Sequence, residues 1–166
     1  MEKRVRFAHG NALAMPFADA SFTLAIAQEA FAHVPDKPRL VAECARVLRP
    51  AGRLVFSDIL HRETLAAHDM QRLFEGMAFS EIATAEQYTE LLRAQGLAVV
   101  RVMDLTQEWT RILVDRHAMY RSLESQTVGR LGREHFDRYD RAYEHFVGLY
   151  RSGVLAGALV HARKAG

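Results

Sequence analysis

Apolar residues come in three short blocks over the first sixty positions, and each block closes in polar side chains. Val5, Arg6, Phe7 and Ala8 alternate and run into His9, Gly10, Asn11 and Ala12. Residues 22–27 are almost wholly apolar, as expected of a strand covered on both faces, and are followed by Gln28, Glu29 and, four residues on, His33. Gly52, Arg53, Leu54, Val55 and Phe56 form the third block, which ends in Ser57 and Asp58. Between the last two blocks, Leu40, Val41, Cys44, Val47 and Leu48 recur at helical spacing. Asp36 and Pro38 mark the start of that helix; Pro50 stops it, and Gly52 allows the reversal into the next strand. Strand–helix–strand alternation predicts an α/β domain with a mostly parallel sheet, whose ligands gather beyond the carboxyl ends of the strands.

The second half is richer in helix. Residues 61–80 are amphipathic, with Leu65, Met70, Leu73, Phe74 and Met77 on one side. Thr84 and Gln87 form a capping box, opening a helix that Gly96 closes. Residues 97–103 read as a strand and 108–124 as a helix. Phe136, Tyr139, Tyr143, Phe146 and Tyr150 recur at helical spacing on another long helix, and 154–162 form a final strand with a basic exit at Arg163 and Lys164. Gly129 and Gly132 mark a turn. With no repeat or linker, residues 1–166 read as one unit, with additional helical segments at roughly 61–82 and 104–152.

A chain of 166 residues supports a real core. Its net charge of +2 gives no reason to expect nucleic acid as a partner. The single cysteine, Cys44, precludes an intramolecular disulfide and falls on an apolar helix face, so buried filler is expected. His9, His61 and His68 show no recognised ligand spacing, and no metal site is expected. No apolar h-region opens the chain and no run approaches the ~18 residues of a membrane span, so cytoplasmic residence is expected.

Three segments then fall into a familiar order. Gly10 through Phe22 resembles the "GDA…LPF.D.SFD" stretch of class I S-adenosylmethionine-dependent methyltransferases. His33-Val34-Pro35-Asp36 resembles their "H.PD" step, and the stretch from Glu43 through Arg46, Val47, Leu48 and Pro50 to Gly52 resembles "E..RVLKPGG". The tail is similar to the subgroup that acts on small molecules. The resemblance implies a Rossmann-like methyltransferase fold, incomplete here, because the family's glycine-rich first loop and second strand have no counterpart in the sequence. Those features hold the methionine part and the ribose of S-adenosyl-L-methionine. The resemblance therefore implies a C-terminal part of such a domain, with a cofactor site not fully present and a strand at Val5 whose open edge invites pairing with a second copy.

The resemblance also assigns roles. Asn11, with Ala12, takes the place of the residue that receives the adenine amino group, and an amide oxygen can accept that hydrogen bond. Gln28 and Glu29 fall where the loop approaches the sulfonium. His33 is the candidate general base, since an imidazole suits removal of a proton from a hydroxyl. Asp58 would orient His33 or meet the substrate. Trp109, Tyr120 and Tyr139 could line a pocket beneath the late helices. The implied activity is methyl transfer to an oxygen, nitrogen or carbon of a small molecule. A non-catalytic, methyltransferase-like partner subunit is the alternative. A nicotinamide enzyme lacks its dinucleotide fingerprint here.

Overall fold

The computed structural model describes residues 5–166. Its elements run β1 (Phe22–Gln28), a 3-10 turn (Phe31–His33), α1 (Lys37–Val47), β2 (Leu48–His61), α2 (Ala67–Met77), α3 (Ala85–Ala94), β3 (Leu97–Asp104), α4 (Thr106–Ser122), α5 (Glu124–Leu131), α6 (Arg133–Arg151) and β4 (Leu155–Lys164). The sheet order is β1-β2-β4-β3.

Among the described strands, only β1 and β2 pair in parallel; β4 runs antiparallel to both β2 and β3. The α/β class holds, but the expectation of a mostly parallel sheet does not. Alternation of apolar residues marks a strand and carries no information on its direction. Val5, Phe7 and their neighbours form no strand either: residues 5–10 are exposed irregular chain, with Phe7 97% exposed. Their block is too short to hold itself in place without a strand partner. The edge strands of the sheet among the described residues are therefore β1 and β3.

Strand alternation sorts the core. Leu54, Phe56, Asp58 and Leu60 of β2 share one face with Ala156, Ala158, Val160 and Ala162 of β4. Leu40, Val41 and Cys44 of α1 and Tyr88 and Leu92 of α3 close over that face. On the other face, Ile59 and Leu155 join Leu73, Phe79, Phe146, Leu149 and Tyr150 in a second cluster beneath α2 and α6. That cluster covers only one end. Ile26 is 70% exposed, so β1 is not the doubly covered strand its composition suggested.

Local signals fix the helices that flank the sheet. The Asp36 carboxylate accepts from the Arg39 N–H at 2.9 Å, capping α1. Thr84 and Gln87 exchange both hydrogen bonds of their capping box at the start of α3. At the far end of α1 the Lys164 ammonium donates to the carbonyls of Ala45 and Leu48, which lack helical partners. Cys44 is buried, and desolvation raises its thiol pKa to about 11, so it packs and does not react. The reversal into β2 departs from expectation. Leu48 already pairs with Phe22, and the next paired residue of β2 is Arg53. Ala51 takes the left-handed conformation, φ 58°, while Gly52 serves close approach: a Cβ there would lie 2.8 Å from the Arg49 carbonyl oxygen.

Candidate active site

The loop between residues 9 and 21 has little secondary structure of its own and is clipped onto α1. The Glu43 carboxylate accepts from the Met15 N–H at 2.8 Å and from the Arg46 guanidinium. Arg46 in turn donates to the carbonyls of Met15 and Phe17 and to Asp19, while Arg39 holds the Leu13 carbonyl. Gly10 lies flat against Pro16, where a Cβ would meet the ring at 2.8 Å. Through these contacts the Glu43…Arg46 and Gly10…Pro16 segments act together to shape and fix the loop that carries Asn11 and Ala12.

The clip has a pH signature. The Arg46 hydrogen bond, then the Met15 N–H, hold the Glu43 carboxyl far below its usual 4.5, at about 2. A carboxyl with a depressed folded-state pKa contributes stability that is present above its unfolded value and is lost as pH falls. Glu43→Gln is therefore expected to be less stable than the parent protein near neutrality, with the gap narrowing between pH 4.5 and about 2. Urea unfolding of both proteins across that range measures it; a pH-independent gap would refute the assignment.

Beyond β1 the chain makes a sharp change. Glu29 adopts φ 49° in the left-handed region, and its N–H donates to the Ser57 carbonyl at 2.8 Å. A non-glycine residue held there is strained, and its neighbours must enforce the geometry. The 3-10 turn follows, and the Ala32 N–H donates to the Asp58 carboxylate at 3.1 Å. His33 then stands at the mouth of a depression of about 670 Å³ that it shares with His9, Gly10, Asn11, Ala12 and Pro35. Its Nδ1 lies 2.9 Å from the Ala78 carbonyl oxygen. The Asn11 Oδ1 accepts from the Leu13 N–H at 2.9 Å, closing a local turn; one lone pair of that oxygen and the side-chain NH₂ remain. A second depression, about 280 Å³, lies against the other sheet face and joins Gln28, Glu29 and Ser57 to Trp109.

The structure thus brings Asn11, Ala12 and His33 onto one surface, whereas Gln28 and Glu29, at the end of β1, line the separate depression with Trp109. Asp58 is elsewhere. It lies inside β2, not at its end, on the core face, 1% exposed. Its carboxylate accepts from Ala32 N–H and, at 2.6 Å, from the Tyr88 hydroxyl, and it makes no hydrogen bond to His33. Direct contact with a ligand is precluded in this arrangement, because period-two alternation points Asp58 the same way as Phe56 and Leu60. Lys37, which sequence reasoning overlooked, is also buried, with its ammonium donating to the carbonyls of Val34 and Glu81. Its place in the first turn of α1, beside the cap, was the available hint. Of the three late aromatics, Trp109 reaches the Glu29 depression and rests on Gly157, where a Cβ would come within 2.3 Å of the indole. Tyr120 and Tyr139 instead pack with Phe136 between α4 and α6. His61 turns to the Glu63 carbonyl.

Residues 1–56 match the family model described as a methyltransferase domain. Among curated relatives, the 27-O-demethylrifamycin SV methyltransferase of Amycolatopsis mediterranei is 33% identical over 118 residues, covering 67% of this chain and 43% of the relative. The chain spans about half the length of the curated relatives it matches. The fold is shared with a sarcosine dimethylglycine methyltransferase from Galdieria sulphuraria (TM-score 0.85, 24% identity, 94% of this chain and 57% of that one). It is shared too with a Haemonchus contortus phosphoethanolamine N-methyltransferase solved with S-adenosyl-L-methionine (TM-score 0.80, 14% identity, 94% and 36%). No helix among the described residues is long and apolar enough to cross a membrane. Matching motifs over residues 1–56, sequence relatives that are methyltransferases and a common Rossmann-like α/β fold make this chain a member of the class I S-adenosylmethionine-dependent methyltransferase family.

Proposed function

We propose that these residues form one wall of a site for S-adenosylmethionine-dependent methylation of a small molecule, with further contacts to the cofactor supplied from outside this chain. The observation that carries the proposal is the shared depression of Asn11, Ala12 and His33, together with a second depression that a strained Glu29 lines at the end of a parallel strand pair. The residues present fit the cofactor: the exposed amide of Asn11 can accept from an exocyclic amine, and the exposed Glu29 carboxylate suits the neighbourhood of a cationic sulfur. S-adenosylmethionine, when bound, supplies an already activated methyl group. The chain's own residues then position, exclude water and move a proton. His33 would take the proton of a hydroxyl or carbon acid, Trp109 would wall the acceptor side, and α2 with α4–α6 would act as its cap. Asp58 is assigned a positioning role, through the Ala32 N–H that it holds.

An uncovered β1 face supports the one-wall reading, and weak affinity follows from it. Amide NMR of the chain titrated with S-adenosylhomocysteine is expected to show saturable shifts confined to residues 10–13 and 28–33. Shifts on unrelated surfaces, or none at the solubility limit of the compound, would overturn the assignment of this surface.

A further inference from the structure

Away from the candidate active site, α2 and α6 cross over a depression of about 540 Å³. Its floor is made by small residues: a Cβ on Gly76 would fall 2.4 Å from the Cβ of Ala142. Arg72 lies on the α2 side, and Arg138 and Arg141 stand one helical turn apart on the α6 side. None of these three guanidinium groups has a carboxylate within 4.0 Å or a hydrogen-bond acceptor among the described residues. Arg62, Arg111, Arg121 and Arg133, elsewhere on the protein, are paired with carboxylates. Glu75 and Glu144 also line the depression, but each is engaged elsewhere, Glu75 with Gln71 and Glu144 with Arg121. His145 completes the wall, its Nε2 turned to the Asp69 carboxylate at 3.0 Å. Three guanidinium groups line the concavity against the two carboxylates of Glu75 and Glu144, an excess of positive charge that an anion would offset.

We propose that this depression binds the phosphoryl group of a small soluble molecule, at a site separate from the Asn11–His33 surface. Guanidinium groups donate in a planar fork that matches phosphate oxygens two at a time, which favours phosphoryl over a simple halide. Two arginines from one helix and one from the other can approach such a group from opposite sides, and the Gly76–Ala142 crossing leaves room for it. The shared chemistry could also come from a lipid headgroup; the small, recessed volume favours the soluble source.

Calorimetric titration of the full chain with inorganic pyrophosphate tests the site. Saturable binding is expected, weakened at least tenfold in the Arg138→Gln/Arg141→Gln double variant and unchanged in Arg93→Gln, an exposed arginine on α3. Phosphatidic acid vesicles are expected not to sediment the protein. No saturable binding, or equal binding by the double variant, overturns the proposal; sedimentation by vesicles that pyrophosphate does not compete away also overturns it, in favour of a lipid surface.

Discussion

Asp58→Ala is expected to destabilise the protein by about 3–5 kcal/mol, because it strands two buried donors at roughly 1–3 kcal/mol apiece and leaves a void beside them. The donors are the Ala32 N–H and the Tyr88 hydroxyl, both in the core. Around them, Phe31, Phe56 and Tyr88 pack ring on ring, with Phe31 and Phe56 stacked at 4.7 Å. The carboxylate thus pins the turn after β1 to β2 and α3 at once. Asp58→Asn keeps one acceptor and removes the buried charge, so a smaller loss is expected. Equilibrium urea unfolding measures both, and a loss below about 1 kcal/mol for Asp58→Ala would contradict the network.

The pH dependence of this network differs in sign from that of Glu43. Burial pushes the Asp58 carboxyl above its usual 3.8, against the Tyr88 and Ala32 hydrogen bonds and the field of Lys37. A raised folded-state pKa means that the contribution of this group is complete below 3.8 and declines as pH rises through the folded value. Burial likewise lowers the Lys37 pKa from 10.5, so its contribution declines as pH falls below that value. Two desolvated ionisable side chains are therefore held where apolar residues would be easier to bury. What they hold is the backbone of residues 31–34: Asp58 grips Ala32, and Lys37 grips Val34. Those residues bracket His33.

Much of this arrangement is legible in the chain, and the parts that are not have physical reasons. Asp36, Thr84 and Gln87 announce their helices because capping is local chemistry, written within four residues. The stripe from Leu40 to Leu48 marks the buried face of α1 for the same reason. Strand direction is a long-range property, so the antiparallel β4, which brings Lys164 back to the end of α1, could not be read from its own alternation. Asp58 illustrates a reading the sequence did allow. Counting by twos from Leu54 through Phe56 to Leu60 places Asp58 with the core, and only its polarity suggested otherwise. Glu29 is the opposite case, since nothing about a glutamate signals a left-handed backbone, which arises from the Ser57 carbonyl that captures its N–H. The family resemblance drew attention to the loop of Asn11; the clip of Glu43 and Arg46 is what fastens that loop to α1.

His33→Ala is expected to slow methyl transfer to a hydroxyl acceptor by about 10²–10⁴-fold, the usual contribution of a positioned base, while S-adenosylmethionine affinity changes little. The contacts of His33 fix the ring in one tautomer. A carbonyl oxygen only accepts hydrogen bonds, so the Ala78 contact at 2.9 Å places the proton on Nδ1 and leaves the lone pair on Nε2. Ala78 itself is the left-handed C-cap of α2, φ 58°, a conformation that aims its carbonyl away from the helix. The next two residues complete the grip: the Phe79 ring lies 5.0 Å from the imidazole, and Ser80 Oγ donates to the His33 carbonyl. A histidine serving only to pack would lose stability on substitution and leave the pH–rate profile unmoved. A base would lose kcat and, with it, the acidic limb of that profile. Steady-state kinetics of His33→Ala against Ser80→Ala, in a preparation that turns over, separates the two. Equal losses of kcat and cofactor affinity, or an unchanged acidic limb, would remove His33 from the chemistry and leave it a strut between α2 and the turn after β1.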